Sequence, residues 1–157
     1  MRCVGLVLAF LLFFAGCDHG LAPPDVPPVG SIHGVITYTD PSAWPAPDSL
    51  IDLRFFALPF VPQDTLDLFR DLNNLVFSER LDLYVAGDTF VVDSVEARIY
   101  IYSGVAQQYT RNLLDWRPVG LYEGTNGIFQ VRPGQVTELS ITVDFKNLPP
   151  FPPAAEN

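Results

Sequence analysis

"TELSITVDFK" (Thr137–Lys146) and "VEARIYIYSGV" (Val95–Val105) decide the fold, because both alternate. In the first, Leu139, Ile141, Val143 and Phe145 fall on one side of an extended chain. Glu138, Ser140, Thr142, Asp144 and Lys146 fall on the other. Successive side chains of a strand point to opposite faces, so this two-residue period marks a strand with one buried and one wet face. In the second, Val95, Ala97, Ile99, Ile101 and Val105 are expected inward, and Glu96, Arg98, Tyr100 and Tyr102 outward.

Working outward, "SLIDLRFFAL" (Ser49–Leu58) repeats the pattern, with Ile51, Leu53, Phe55 and Ala57 set against Asp52 and Arg54. Shorter strands are expected at 31–39, 81–85, 89–93, 116–122 and 128–131. Turn signals separate them at Asp40-Pro41, Gly87-Asp88, Gly124-Thr125-Asn126-Gly127 and Pro133-Gly134. One segment breaks the period. In "DTLDLFRDLNNLVF", Leu66, Phe69, Leu72 and Val76 fall at helical spacing, and Asp64 follows Pro62 as a candidate cap. A short helix is expected over residues 65–75. The fold class that follows is all-β: an antiparallel β-sandwich of seven to eight strands, immunoglobulin-like in kind, with one short helix.

Outside this unit the chain changes character. Residues 1–16 begin with Arg2 and carry an apolar run, Val4–Ala15. A membrane-spanning helix needs about 20 apolar residues, so this run is too short and matches the core of a secretory leader. Residues 17–30 hold Pro23, Pro24, Pro27 and Pro28, a stiff extended spacer. The expected domain is 31–147. Residues 148–157, "LPPFPPAAEN", form a proline-rich tail that cannot pair in a sheet.

Charge and thiols narrow the function classes. The chain holds nine Lys and Arg against eighteen Asp and Glu, and loss of Arg2 with the leader leaves eight against eighteen. Lys146 is the only lysine. Such a surface repels nucleic acid and anionic headgroups, so no nucleic-acid partner is expected. The two cysteines are Cys3, in the leader, and Cys17, at its end. The remaining body, about 120 residues long, is expected to be one domain whose stability rests on its apolar core, without disulfide or thiolate metal site.

The tetrad Phe14-Ala15-Gly16-Cys17 resembles the bacterial lipobox, with Phe14 where leucine is usual. The resemblance implies a diacylglyceryl group on the Cys17 sulfur, cleavage before Cys17, and acylation of the new amino end. Two or three acyl chains hold a domain stably where one holds it marginally. The implied location is the bacterial cell envelope, anchored to a membrane through Cys17 with the domain outside the cytoplasm. Asp18 leaves the choice of inner or outer membrane open. "GSIHGVITYTD" (Gly30–Asp40) and "VRPGQVTELSITVDF" (Val131–Phe145) together resemble the opening and closing strands of transthyretin-like, or carboxypeptidase-regulatory-like, sandwiches. That resemblance implies an accessory or adhesive module. One branch of the transthyretin group hydrolyses 5-hydroxyisourate with histidines, an arginine and a C-terminal Tyr-Arg-Gly-Ser, which this chain lacks.

No catalytic, metal or cofactor residues are assigned. His33 is read as a surface histidine on the side of Thr37 and Thr39, and His19 lies in the spacer. Asp64, Asp67 and Asp71 are read as a solvated helix face, and loops such as Asp115–Asn126 could meet calcium but match no EF-hand spacing. No Gly-x-Ser-x-Gly elbow or phosphate-binding loop occurs. Trp44, in "DPSAWPAP", and the pair Tyr100 and Tyr102 are the candidate ligand-binding residues, since outward rings stack on sugars or anchor protein partners. Trp116, which begins a strand near Tyr122, is read as a packing residue. The expected function is a lipid-anchored cell-envelope protein presenting a non-catalytic β-sandwich as a structural or partner-binding module, with an envelope protein or a glycan as partner. The alternatives are a carbohydrate-binding module using those aromatics, and a hydrolase.

Overall fold

A computed structural model describes residues 27–64, 67 and 72–153. Cys17, His19 and Asp71 lie outside the described residues, as does most of the helix expected over 65–75. The described strands are β1 (Val29–Tyr38), β2 (Asp52–Leu58), β3 (Val76–Phe77), β4 (Gly87–Glu96), β5 (Ile99–Tyr100), β6 (Tyr102–Gln108), β7 (Trp116–Leu121), β8 (Phe129–Gln130) and β9 (Val136–Val143). They form a three-stranded sheet ordered β4-β1-β9, a four-stranded sheet ordered β3-β2-β6-β7, and a small β5-β8 ribbon. The fold is an all-β sandwich, and its two main sheets hold seven of these strands.

The inner faces make the core. Ile32 and Ile36 of β1, Phe90 and Val95 of β4, and Leu139, Ile141 and Val143 of β9 meet Leu53, Phe55 and Ala57 of β2, Val105 of β6 and Val119 of β7. Each of the larger side chains contributes roughly 1.5–3 kcal/mol on full burial. Phe55 and Phe90 stack across the two sheets with ring centroids 4.2 Å apart. Gly34 lets this happen, since it faces Phe90 in register and a Cβ there would lie 2.1 Å from the ring.

The ladders run antiparallel except one. β1 and β9 pair in parallel, from Ser31 opposite Val136 to Tyr38 opposite Val143. A parallel pair needs a long connection, and nearly the whole domain supplies it. The expectation of a wholly antiparallel sandwich is corrected at this pair.

Three local expectations are also corrected. Residues 81–85 form no strand; Tyr84 adopts a left-handed φ of 62°, while Leu81, Leu83 and Val85 still pack on the core. Val76, placed on a helical face by its spacing, lies in β3, and Leu72–Asn74 form a 3-10 turn. The stretch 95–105 is not one strand. It divides among the end of β4, a bend, β5 and β6.

The last difference begins with a bulge. Gly30 pairs with Val95 and Ile32 with Val92, so Ser31 faces both Asp93 and Ser94, and Ser94 takes a φ of 57°. One extra residue flips every later side chain to the other face. Phe90 and Val92 point inward, and then Val95 does.

The four-stranded sheet is covered on its outer face too. Phe56, Leu58, Tyr102 and Ala106 form a second apolar cluster there, joined by Trp116, Leu121 and, from the C-terminal segment, Phe151. All seven residues of β6 are therefore buried. The buried Gln107 is satisfied on both sides: its amide donates to the Ser49 carbonyl, in the 3-10 turn before β2, and its oxygen accepts from Arg117 of β7.

Candidate functional site

Trp44 is a plug rather than an open ring. The loop after β1 returns it over the sandwich end, where its centroid lies 4.5 Å from that of Tyr38, 4.8 Å from Phe145 and 5.3 Å from Tyr84. The Trp44 indole N–H and the Tyr38 hydroxyl are buried without hydrogen-bond partners. Burial, reinforced by the carboxylates of Asp88 and Asp82, holds the Tyr38 hydroxyl far above its ordinary pKa.

Tyr100 and Tyr102 do not share an outer face, a second correction to the reading of 95–105. Tyr100 is 2% exposed, stacks on Phe129 at 5.3 Å and donates its hydroxyl to the Glu96 carbonyl at 3.1 Å. Burial raises its pKa. Tyr102 is 7% exposed and tilts against Phe56 at 5.5 Å, in the outer cluster of the four-stranded sheet. Its hydroxyl is buried and unpartnered, and burial pushes its pKa up to about 12. Ile99, expected inward, is 53% exposed. The bulge and the bend at Ala97-Arg98 exchange the two sides, because alternation carries a strand's facing only while its backbone stays regular.

The remaining candidates have structural partners. His33 Nδ1 lies 3.8 Å from Glu138 on the wet face of the three-stranded sheet. Asp64 accepts from the Asp67 N–H at 2.9 Å, and Asp67 accepts from the Gln63 N–H at 2.7 Å, so both carboxylates tie down backbone at the expected cap. Asp115 accepts from Thr110 and from Asn112, which orders its own loop. Trp116 packs on Phe77 and donates its indole N–H to the Leu113 carbonyl at 3.1 Å. Tyr122 sits edge-on to Phe129. Among the described residues, no group of three His, Cys, Asp or Glu side chains is placed to hold a metal.

Two clefts, each of about 480 Å³, lie near the start of β6. The first is bordered by Gln63, Ile101, Ser103, Tyr122, Asn126 and the candidate Tyr102, and its described lining carries no charged side chain. The Ser103 hydroxyl is buried and unpartnered, so no base is hydrogen-bonded to it to activate it as a nucleophile. Asn126 and Gly127 border this cleft and Thr125 the other, all three with positive φ. The sequence marks that turn but not Ser103 or Gln63, which reach the cleft only through tertiary folding. The second cleft lies against the β5-β8 ribbon, and Ile99, Ile128 and Val136 border it with Arg132 and Glu138.

Fold and geometry define a β-sandwich in which Tyr100 is packed inward, Trp44 is half-buried at one end and Tyr102 lies in the outer cluster at the edge of a cleft. No protein-family model, curated protein or solved structure matches the chain. Among the described residues, no helix is long and apolar enough to cross a membrane.

Proposed function

We propose that this chain is a lipid-anchored cell-envelope protein that presents a non-catalytic β-sandwich as a structural or partner-binding module. The observation that carries the reading is where the sandwich begins. β1 starts at Val29, directly after the proline-rich segment that follows Cys17. An acylated Cys17 anchors, the spacer sets the reach, and the sandwich offers its wet face and the cleft beside Ser103 to a partner. The resemblance to transthyretin-like sandwiches in the opening and closing segments supports an accessory role of this kind. A glycan-binding role draws less support, because Tyr100 and Tyr102 are buried and Trp44 is half-buried among Tyr38, Tyr84 and Phe145.

The test is mass spectrometry of the N-terminal peptide from native cells, together with fractionation of a Cys17→Ala variant. The expected peptide begins at Cys17 and carries a diacylglyceryl thioether, and the variant leaves the membrane fraction. A chain that retains Met1, or a mature end at another residue, overturns the reading.

A further inference from the structure

The end of the sandwich where the chain arrives from Cys17 carries exposed aliphatic side chains. Val29 is 41% exposed, Ile99 53%, Ile128 43% and Val136 51%. Ile99, Ile128 and Val136 border one open cleft. Val29 is tied to the same corner, since its carbonyl accepts from the Gly134 N–H at 2.8 Å. The neighbouring Pro28 carbonyl accepts from the Ala97 N–H at 2.8 Å. Four β-branched side chains gathered at the corner where the chain arrives from Cys17 leave apolar area in water.

We infer that this end of the sandwich is a bilayer-contacting surface, seated at the boundary between headgroups and acyl chains of a zwitterionic lipid. The inference rests on acylation of Cys17. Val29 lies twelve positions beyond Cys17. At no more than ~3.3–3.6 Å per residue, the connecting chain reaches on the order of 40 Å. A patch at the root of so short a leash meets the membrane as an intramolecular event, at high effective concentration. The spacer limits how far the sandwich travels, and the aliphatic end decides which surface turns to the lipid.

Charge selects the lipid. Among the cleft's described lining, Arg132 and Glu138 are the charged side chains, one of each sign. The rest of the chain is strongly acidic. Anionic headgroups therefore repel the domain as a whole, while a zwitterionic surface leaves the apolar contact unopposed.

The test uses the full chain, isolated with its lipid and reconstituted in dioleoylphosphatidylcholine vesicles. Nitroxide labels are placed singly at Ile128→Cys and at Leu113→Cys. Cys3 leaves with the leader and Cys17 is acylated, so each introduced thiol is the one available for labelling. Leu113 is 76% exposed and follows the last residue of β6, whereas Ile99 precedes its first. The seven residues of β6, about 23 Å of strand, lie between Leu113 and Ile99, which borders the same cleft as Ile128. Power-saturation spectroscopy compares collisions with oxygen, which concentrates in lipid, and with a nickel chelate, which stays in water. The expected result is oxygen accessibility exceeding nickel accessibility at 128, with the reverse at 113. If both labels report water while the vesicles still float the chain, the surface assignment is overturned and the anchor stands. If the label at 128 is immobilised without oxygen enrichment, a protein covers the patch and the assignment is likewise overturned. If the chain fails to float with vesicles, the proposed anchor falls and this inference with it.

Discussion

At the scale of single residues, the lone lysine closes the far end of the sandwich. Lys146, just after β9, donates to Asp40, just after β1, and Asp40 also accepts from the backbone and hydroxyl of Ser42. The Lys146 hydrogen bond first, and then the two from Ser42, hold the Asp40 carboxyl well below the usual carboxylate range. Asp144 is lowered in the same corner, chiefly by the Asn147 side chain. A carboxylate with a depressed folded pKa stabilises the fold above its unfolded value, near 3.9, and loses that contribution as pH falls through the folded value. Lys146 is raised by the same partner, so its share persists below about pH 10.4 and disappears as pH rises through its folded value. Asp40→Asn should therefore melt below the parent between about pH 5 and 9, with the gap narrowing below pH 4. Thermal melts of both proteins across pH measure this, and a constant gap down to pH 2 would contradict the pairing. The pair was not legible from composition. Asp40 and Lys146 are 106 residues apart and meet only because their strands run side by side.

At the scale of elements, glycines and a bulge do what apolar patterning cannot. Gly120 of β7 lies where the edges of the two sheets approach, and a Cβ there would sit 2.5 Å from the Thr142 carbonyl and 2.9 Å from a Val143 methyl. Overpacking of this sort costs about 1–3 kcal/mol. Gly120→Ala should lose that much in urea unfolding with an unchanged slope, and a loss under 0.5 kcal/mol would mean that β7 and β9 separate freely. The strands over 29–38, 52–58, 116–121 and 136–143 were legible, because each keeps its period or its turn signals over several residues. The facing of Tyr100 and Tyr102 was not. Ser94 looks like any polar strand residue, and nothing local announces that it takes a left-handed φ and shifts the count. The loop at 81–85 misled for a related reason: its leucines and valine alternate and are packed, but Tyr84 turns the chain out of the ladder.

At the scale of the whole molecule, the first and last strands of the sandwich are neighbours. β1 lies between β4 and β9, so the three-stranded sheet cannot be completed until residues near 140 have found residues near 35. Folding of that kind is non-local and slow, since loop closure precedes its reward. A chain ending at Gly134 lacks β9 and with it the buried Leu139, Ile141 and Val143. It should show no cooperative unfolding transition by near-ultraviolet dichroism, and a sharp transition in that truncated chain would show that β1 and β4 hold without β9.

The sequence by itself determined the class of fold, the thiol-free body and the acidic surface, because alternation, residue counts and charge survive without knowledge of any contact. The apolar run at 4–15, the prolines at 23–28 and Cys17 are likewise plain in the order of residues, and the lipid-anchor proposal starts from them. Only the tertiary structure decided which aromatics face outward, that β1 and β9 run parallel, and that Val29, Ile99, Ile128 and Val136 come to one end. Those outcomes depend on a single extra residue in β4 and on partners about a hundred positions away, and neither leaves a local signature in the order of amino acids.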